Sequence, residues 1–136
     1  MLLEFKTKNY KSFVEEASFS MVAAPKQKGL DYSLMKTKIK GKEIKGLSSS
    51  VIYGPNAAGK TNIIGAMDVL RAIVLRGNIR NSEEKSSPNP AAAALELIPN
   101  NNEMESKPVC FEIEFYEEDG EDYKFKIHYE LEVDLG

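Results

Sequence analysis

Gly54-Pro55-Asn56-Ala57-Ala58-Gly59-Lys60-Thr61 is the stretch on which the reading of this chain turns. It fits the pattern Gly-x-x-x-x-Gly-Lys-[Ser/Thr], and its flanks fit too. An apolar β-type run, Val51-Ile52-Tyr53, leads in, and a helix-type run from Asn62 to Leu75 leads out. That strand–loop–helix order is the setting in which the pattern means a P-loop. Gly54 and Gly59 let the backbone turn tightly and bring its N–H groups against phosphate oxygens. The start of the following helix adds partial positive charge and unpaired N–H groups. Lys60 is placed to reach β- and γ-phosphates, and the Thr61 hydroxyl to coordinate Mg²⁺.

With 136 residues the chain is one domain-sized unit, long enough to bury a core. The formal net charge of −3 gives no overall basic field that would point to nucleic acid. No apolar run is long enough to span a membrane, and Met1 to Lys6 lacks the layout of a secretory signal. The single cysteine, Cys110, excludes an internal disulfide and a cysteine-rich metal site. A cytoplasmic protein is the expectation.

Leu3, Phe5 and Phe13 mark a β-like opening interrupted by Asn9-Tyr10-Lys11-Ser12, and a second β-like run covers Ala17 to Val22. Lys36 to Lys45 reads as a hairpin turning near Gly41, its lysines a solvated face. The helix after the P-loop carries apolar residues nearly all round, so burial on most sides is expected, with Gly77 as its C-cap. Residues 77–108 are rich in Asn, Ser, Glu and Pro. They read as an insertion, mobile over Asn78–Asn89, with Ala91–Ile98 as an ordered island.

The strongest β signal comes last. Val109, Phe111, Ile113 and Phe115 alternate with polar residues, as do Tyr123, Phe125, Ile127, Tyr129, Leu131 and Val133. A loop of Glu118-Asp119-Gly120 would keep the apolar residues on one face. It would pair Ile113 with Phe125, Glu114 with Lys124 and Glu112 with Lys126. His128 falls on the polar face, where a solvent-facing strand residue without a partner is expected.

Asn9-Tyr10-Lys11-Ser12-Phe13, a second strand, and a Gly54-Pro55-Asn56 loop followed by Thr61-Asn62 together resemble the N-terminal part of ABC-type ATPases of the SMC, RecF and OLD groups. The Asn56-Ala57-Ala58-Gly59-Lys60 form resembles most the OLD-like AAA ATP-binding proteins of bacterial anti-phage and abortive-infection systems. Ala57 departs from the glycine of SMC and RecF proteins, and Tyr10 and Lys11 replace the usual Phe and Arg. The resemblance implies an α/β fold: a mixed sheet around the P-loop helix plus an antiparallel β-hairpin subdomain. It implies a single incomplete lobe over 1–136, divided as 1–76, 77–108 and 109–134. ATP and Mg²⁺ are the implied cofactors. Gly54, Asn56, Ala57, Ala58, Gly59, Lys60, Thr61 and Asn62 would line the nucleotide, with Lys11 and Ser12 at its rim and Thr61 on the metal. Tyr53, on the P-loop strand, is expected in the core.

Other parts of such an enzyme are not found in these residues. The only glutamine, Gln27, precedes the P-loop, no Ser-Gly-Gly occurs, and Leu131-Glu132-Val133-Asp134 alternates instead of forming a buried run ending in two acids. No catalytic residue is therefore assigned, and nucleotide binding without turnover is expected. The partners implied are a C-terminal lobe and a second subunit, with nucleic acid contacted indirectly. Self-association is expected through exposed apolar surface or the hairpin's free edge. Two other readings remain: a non-catalytic interaction module with a structural P-loop, and a small self-contained P-loop kinase or GTPase.

Overall fold

The computed structural model describes residues 1–25, 29, 31–76, 100, 107–119 and 123–134. The alternating N-terminal residues form β1 (Leu2–Lys8) and β2 (Ala17–Ser20). A single 3₁₀ turn (Asp31–Ser33) opens the lysine-rich hairpin of β3 (Leu34–Ile39) and β4 (Lys42–Leu47). Then come α1 (Lys60–Arg76), β5 (Val109–Asp119) and β6 (Tyr123–Val133). Four strands pair in the order β2-β1-β5-β6, and β3 and β4 form a second sheet, bridged to the chain after β2 at Val22 and Gly46. The lysine-rich hairpin turns where expected: Lys40 and Gly41 both have positive φ (48° and 79°), the twist a two-residue turn needs.

Strand alternation explains the layering. Leu3, Phe5 and Thr7 of β1 are buried, as are Val109 and Phe111 of β5, while Lys6, Glu112 and Glu114 face the other way. Against the apolar face α1 lays Ile63, Ala66, Val69 and Leu70, and Tyr10 joins them beside Phe111, ring centroids 6.1 Å apart. Each fully buried aromatic or aliphatic side chain of this cluster contributes roughly 1.5–3 kcal/mol.

The architecture is α/β with antiparallel sheets, and it differs from expectation in four respects. First, the described strands pair only antiparallel, and β5 joins β1 directly, so the C-terminal hairpin shares one sheet with the N-terminal strands. Second, Val51–Tyr53 forms no strand, because no parallel neighbour is described for it to pair with; Val51 is 83% exposed. Third, α1 begins at Lys60 and, among the described residues, only one of its faces is covered, leaving Ile64, Val74 and Leu75 exposed.

The fourth difference is the register of β5 and β6. Ile113 lies opposite Tyr129, not Phe125, and Glu114 opposite His128, not Lys124. The two registers share the same parity, so alternation cannot separate them. Packing can. In the observed one, Val109 meets Val133, Phe111 meets Leu131 and Phe115 meets Ile127. The other would set Leu131 and Val133 opposite Lys107 and Glu105. Gly77, Asn78–Asn89, Ala91–Ile98 and Gly120 fall outside the described residues.

Thr7 stands on the apolar face with its Oγ1 buried and without a hydrogen-bond partner among the described residues. A desolvated, unpaired hydroxyl costs ~1–3 kcal/mol. Thr7→Val, which keeps the shape, should raise unfolding free energy by about 1 kcal/mol in urea denaturation.

Candidate functional site

The glycine-rich loop is built by backbone conformation. Ala57 and Gly59 take positive φ (64° and 84°), and the Gly59 carbonyl accepts the amides of Asn62 (3.0 Å) and Ile63 (3.3 Å), starting α1. The amides of Gly59, Lys60 and Thr61 have no acceptor among the described residues, as the first turn of a helix dictates. No acidic residue stands in that first turn to offset the positive end of the helix. The Lys60 ammonium folds back into the loop, donating to the carbonyls of Gly54 (2.7 Å) and Pro55 (2.6 Å). Residues 54–58 and Thr61 are exposed, so the loop presents its backbone to solvent.

A second element supports this loop from below. Asn9 and Lys11 have positive φ (54° and 48°), and Tyr10 and Phe13 exchange backbone hydrogen bonds (3.0 and 2.9 Å), closing a tight turn. Its residues take separate tasks. Tyr10 goes into the core, with its hydroxyl 3.2 Å from where a Gly65 Cβ would lie. Phe13 packs on Gly59, and Ser12 Oγ accepts a 2.7 Å hydrogen bond from Asn62 Nδ2. The turn therefore stands beside the loop. Lys11 directs its ammonium over the Tyr10 ring instead, 5.7 Å from the centroid.

Sequence reasoning missed Asn100. Its Nδ2 donates to Lys11 O (2.6 Å), and its amide to Asn9 O (3.3 Å). Asn9 Nδ2 in turn donates to Lys107 O (2.8 Å). An asparagine within a polar, Asn-rich stretch carries no local mark of such a role.

Beside the loop lies a depression of about 220 Å³, whose lining includes Phe13, Phe19, Ile52, Tyr53, Gly59 and Lys60. Tyr53, expected in the core, is 90% exposed and lines it, because the segment carrying it joins no sheet.

These features lie inside a match to a family model. Residues 49–134 match the family described as "AAA domain, putative AbiEii toxin, Type IV TA system". The chain belongs to this family. Membership of an AAA family points to nucleotide binding through a P-loop, and the matched span runs from just before the loop to the end of β6. No curated protein and no solved structure matched the chain. No described helix of this AAA domain is long and apolar enough to cross a membrane.

The opposite face of the sheet is polar. Glu112 stands directly across from Glu130, an unfavourable like-charge pair. Lys6 offsets it, 3.1 Å from Glu112. So does His128, expected to lack a partner: its Nε2 is 2.8 Å from Glu130 and its Nδ1 3.1 Å from Glu114. Lys126 closes the group on Glu114 at 2.8 Å. Ligand atoms of Glu112, His128 and Glu130 lie within 4.8 Å of one another, a spacing a metal ion tolerates, but Lys6 already pairs with Glu112 and the imidazole with Glu130. Burial raises the Cys110 thiol's pKa above its ordinary value, which disfavours the thiolate.

Two outcomes follow. Gly59→Ala combines a left-handed φ with a Cβ only 3.0 Å from Phe13 and 3.1 Å from Ser12 Oγ. It should cost about 1–3 kcal/mol in unfolding free energy, read by urea denaturation. Hydrogen bonds to Glu130 and then Glu114 raise the pKa of His128 above its ordinary 6.5. Its contribution to stability is thus complete below that value and lost as pH rises through the folded pKa. Glu114, lowered chiefly by Lys126, behaves oppositely, losing its contribution as pH falls below its ordinary 4.5. The melting temperature should decline from about pH 6 to 8, and His128→Gln should flatten that limb.

Proposed function

We propose that Gly54–Thr61 binds ATP with Mg²⁺, and that the chain is the nucleotide-binding lobe of an OLD-like, ABC-type ATPase. The observation that carries this reading is the loop itself. An ammonium sits within the loop, and unpaired amides at the start of a helix with no acidic first turn lie next to it. That donor set suits phosphate oxygens: charge from Lys60, N–H groups from Gly59, Lys60 and Thr61. Lys60 would exchange its two carbonyl partners for β- and γ-oxygens. Thr61 would hold Mg²⁺, which neutralises phosphate charge when bound. Asn56, Ala57, Ala58 and Gly54 would wrap the phosphates by backbone, while Asn62 and Ser12, already bonded to each other, would fix the helix start at the rim. The depression at Phe13, Phe19 and Tyr53 supports placing the nucleotide's base there.

The lobe reads as 1–76 with the loop, an insertion over 77–108, and 109–134 as the antiparallel hairpin. The exposed apolar side chains Val51, Ile64, Val74 and Leu75 support a C-terminal lobe and a second subunit as partners. The family's description as a toxin of a toxin–antitoxin system is in keeping with a place in phage defence.

Phosphoryl transfer depends on positioning as well as charge neutralisation, and these residues offer the second. The chain should therefore bind ATP·Mg²⁺ without hydrolysing it. The expected result is a rise in melting temperature with ATP·Mg²⁺ that is lost in Lys60→Ala and absent with Mg²⁺ alone. A shift that survives Lys60→Ala would favour a structural loop in a non-catalytic module. Turnover abolished by Lys60→Ala would contradict binding without hydrolysis.

A further inference from the structure

β6 is an edge strand: it pairs with β5 on one side, and no described strand pairs with its other side. The opposite edge of the sheet, β2, has 4 residues; β6 has 11. Long edges are normally blunted by proline, a bulge, brevity or charged side chains, lysine above all. β6 contains no proline, and its register with β5 runs unbroken from Val133 to Tyr123. What it carries instead is an ordered charge pattern. Lys124 and Lys126 precede His128, and Glu130 and Glu132 follow it, with apolar or aromatic residues at every odd position between Tyr123 and Val133.

This pattern is complementary to its own reverse. We propose that β6 pairs antiparallel with β6 of a second copy about a two-fold axis at His128, joining two four-stranded sheets into one. In that register Lys126 faces the second copy's Glu130, Ile127 faces Tyr129, and the sequence continues outward with Lys124 against Glu132. All 11 residues of the strand are used. Lys126 and Glu130 are exposed on the polar face, and Tyr129 is 39% exposed on the other, so the contact covers surface that the monomer leaves open. Parallel pairing in register would set Lys beside Lys and Glu beside Glu. An antiparallel register shifted by one step of the pleat would set Lys126 against Glu132 and leave the start of β6 unpaired. Like charges across neighbouring strands are unfavourable, which excludes the parallel pairing, and of the two antiparallel registers the His128-centred one alone pairs the whole strand. The interface is isologous, as a two-fold dimer requires. It is independent of nucleotide binding.

Sedimentation velocity over a concentration series tests this. The native chain should show a reversible monomer–dimer equilibrium. Lys126→Glu and Glu130→Lys should each weaken it about tenfold or more, since each places two like-charge contacts across the axis. Both positions are exposed, and each variant is first shown to melt as a folded chain. Mixed one to one, the two variants should dimerise again. In the mixed dimer one contact joins the two altered residues and the other the two native ones, and both are opposite in charge. A native chain that stays monomeric at its highest soluble concentration would overturn the proposal. So would a mixture that associates no better than either variant alone, the outcome that the shifted register or a different surface gives.

Discussion

The burial of one face of α1 against the apolar face of the antiparallel sheet is the interaction on which everything else depends. Ile63, Ala66, Val69 and Leu70 meet Phe5, Val109 and Phe111, and Tyr10 sits between turn and sheet. Most of a helix's stability in a protein comes from packing its apolar face, so this contact keeps α1 formed. The sheet needs β5 in turn, because β1 and β2 alone would be a two-stranded ribbon too small to present such a face. The C-terminal hairpin therefore stabilises a loop that lies far from it in sequence.

Because α1 is held on the sheet, its first turn is held against the turn at Asn9–Phe13. A side chain at Gly59 would crowd Phe13 and Ser12, on top of the left-handed φ. Asn62, the third residue of α1, then ties the helix start to Ser12, and Asn100 ties the carbonyl of Lys11. The loop's shape is thus imposed from two sides: by its own glycines and by a rim anchored to the core through Tyr10. The geometry that suits phosphate is a property of this assembly as much as of the motif.

Legibility followed the range of the forces involved. The loop, its glycines and the lysine hairpin at Lys40–Gly41 were readable because their conformations are set by neighbouring residues. The face of each strand was readable for the same reason, since side chains alternate whatever the strand pairs with. The pairing of Ile113 with Tyr129 was not, because registers that share a parity differ only in which distant residues meet. His128 gained its carboxylate neighbours Glu114 and Glu130 by that same register. The exposure of Tyr53, Ile64 and Leu75 was misread because apolar composition states what could be buried, not what covers it.

The amino-acid sequence by itself determined the phosphate-loop chemistry of Gly54–Thr61, the helix that follows and the two-faced character of the strands, all consequences of local backbone preference and alternation. Tertiary structure alone decided that the C-terminal hairpin completes the N-terminal sheet, which face of α1 is buried against it, and that Ser12, Phe13 and Asn100 shape the surroundings of the loop. Those outcomes rest on contacts between residues far apart in the chain, whose free energy depends on complementary surfaces that no single stretch of sequence contains.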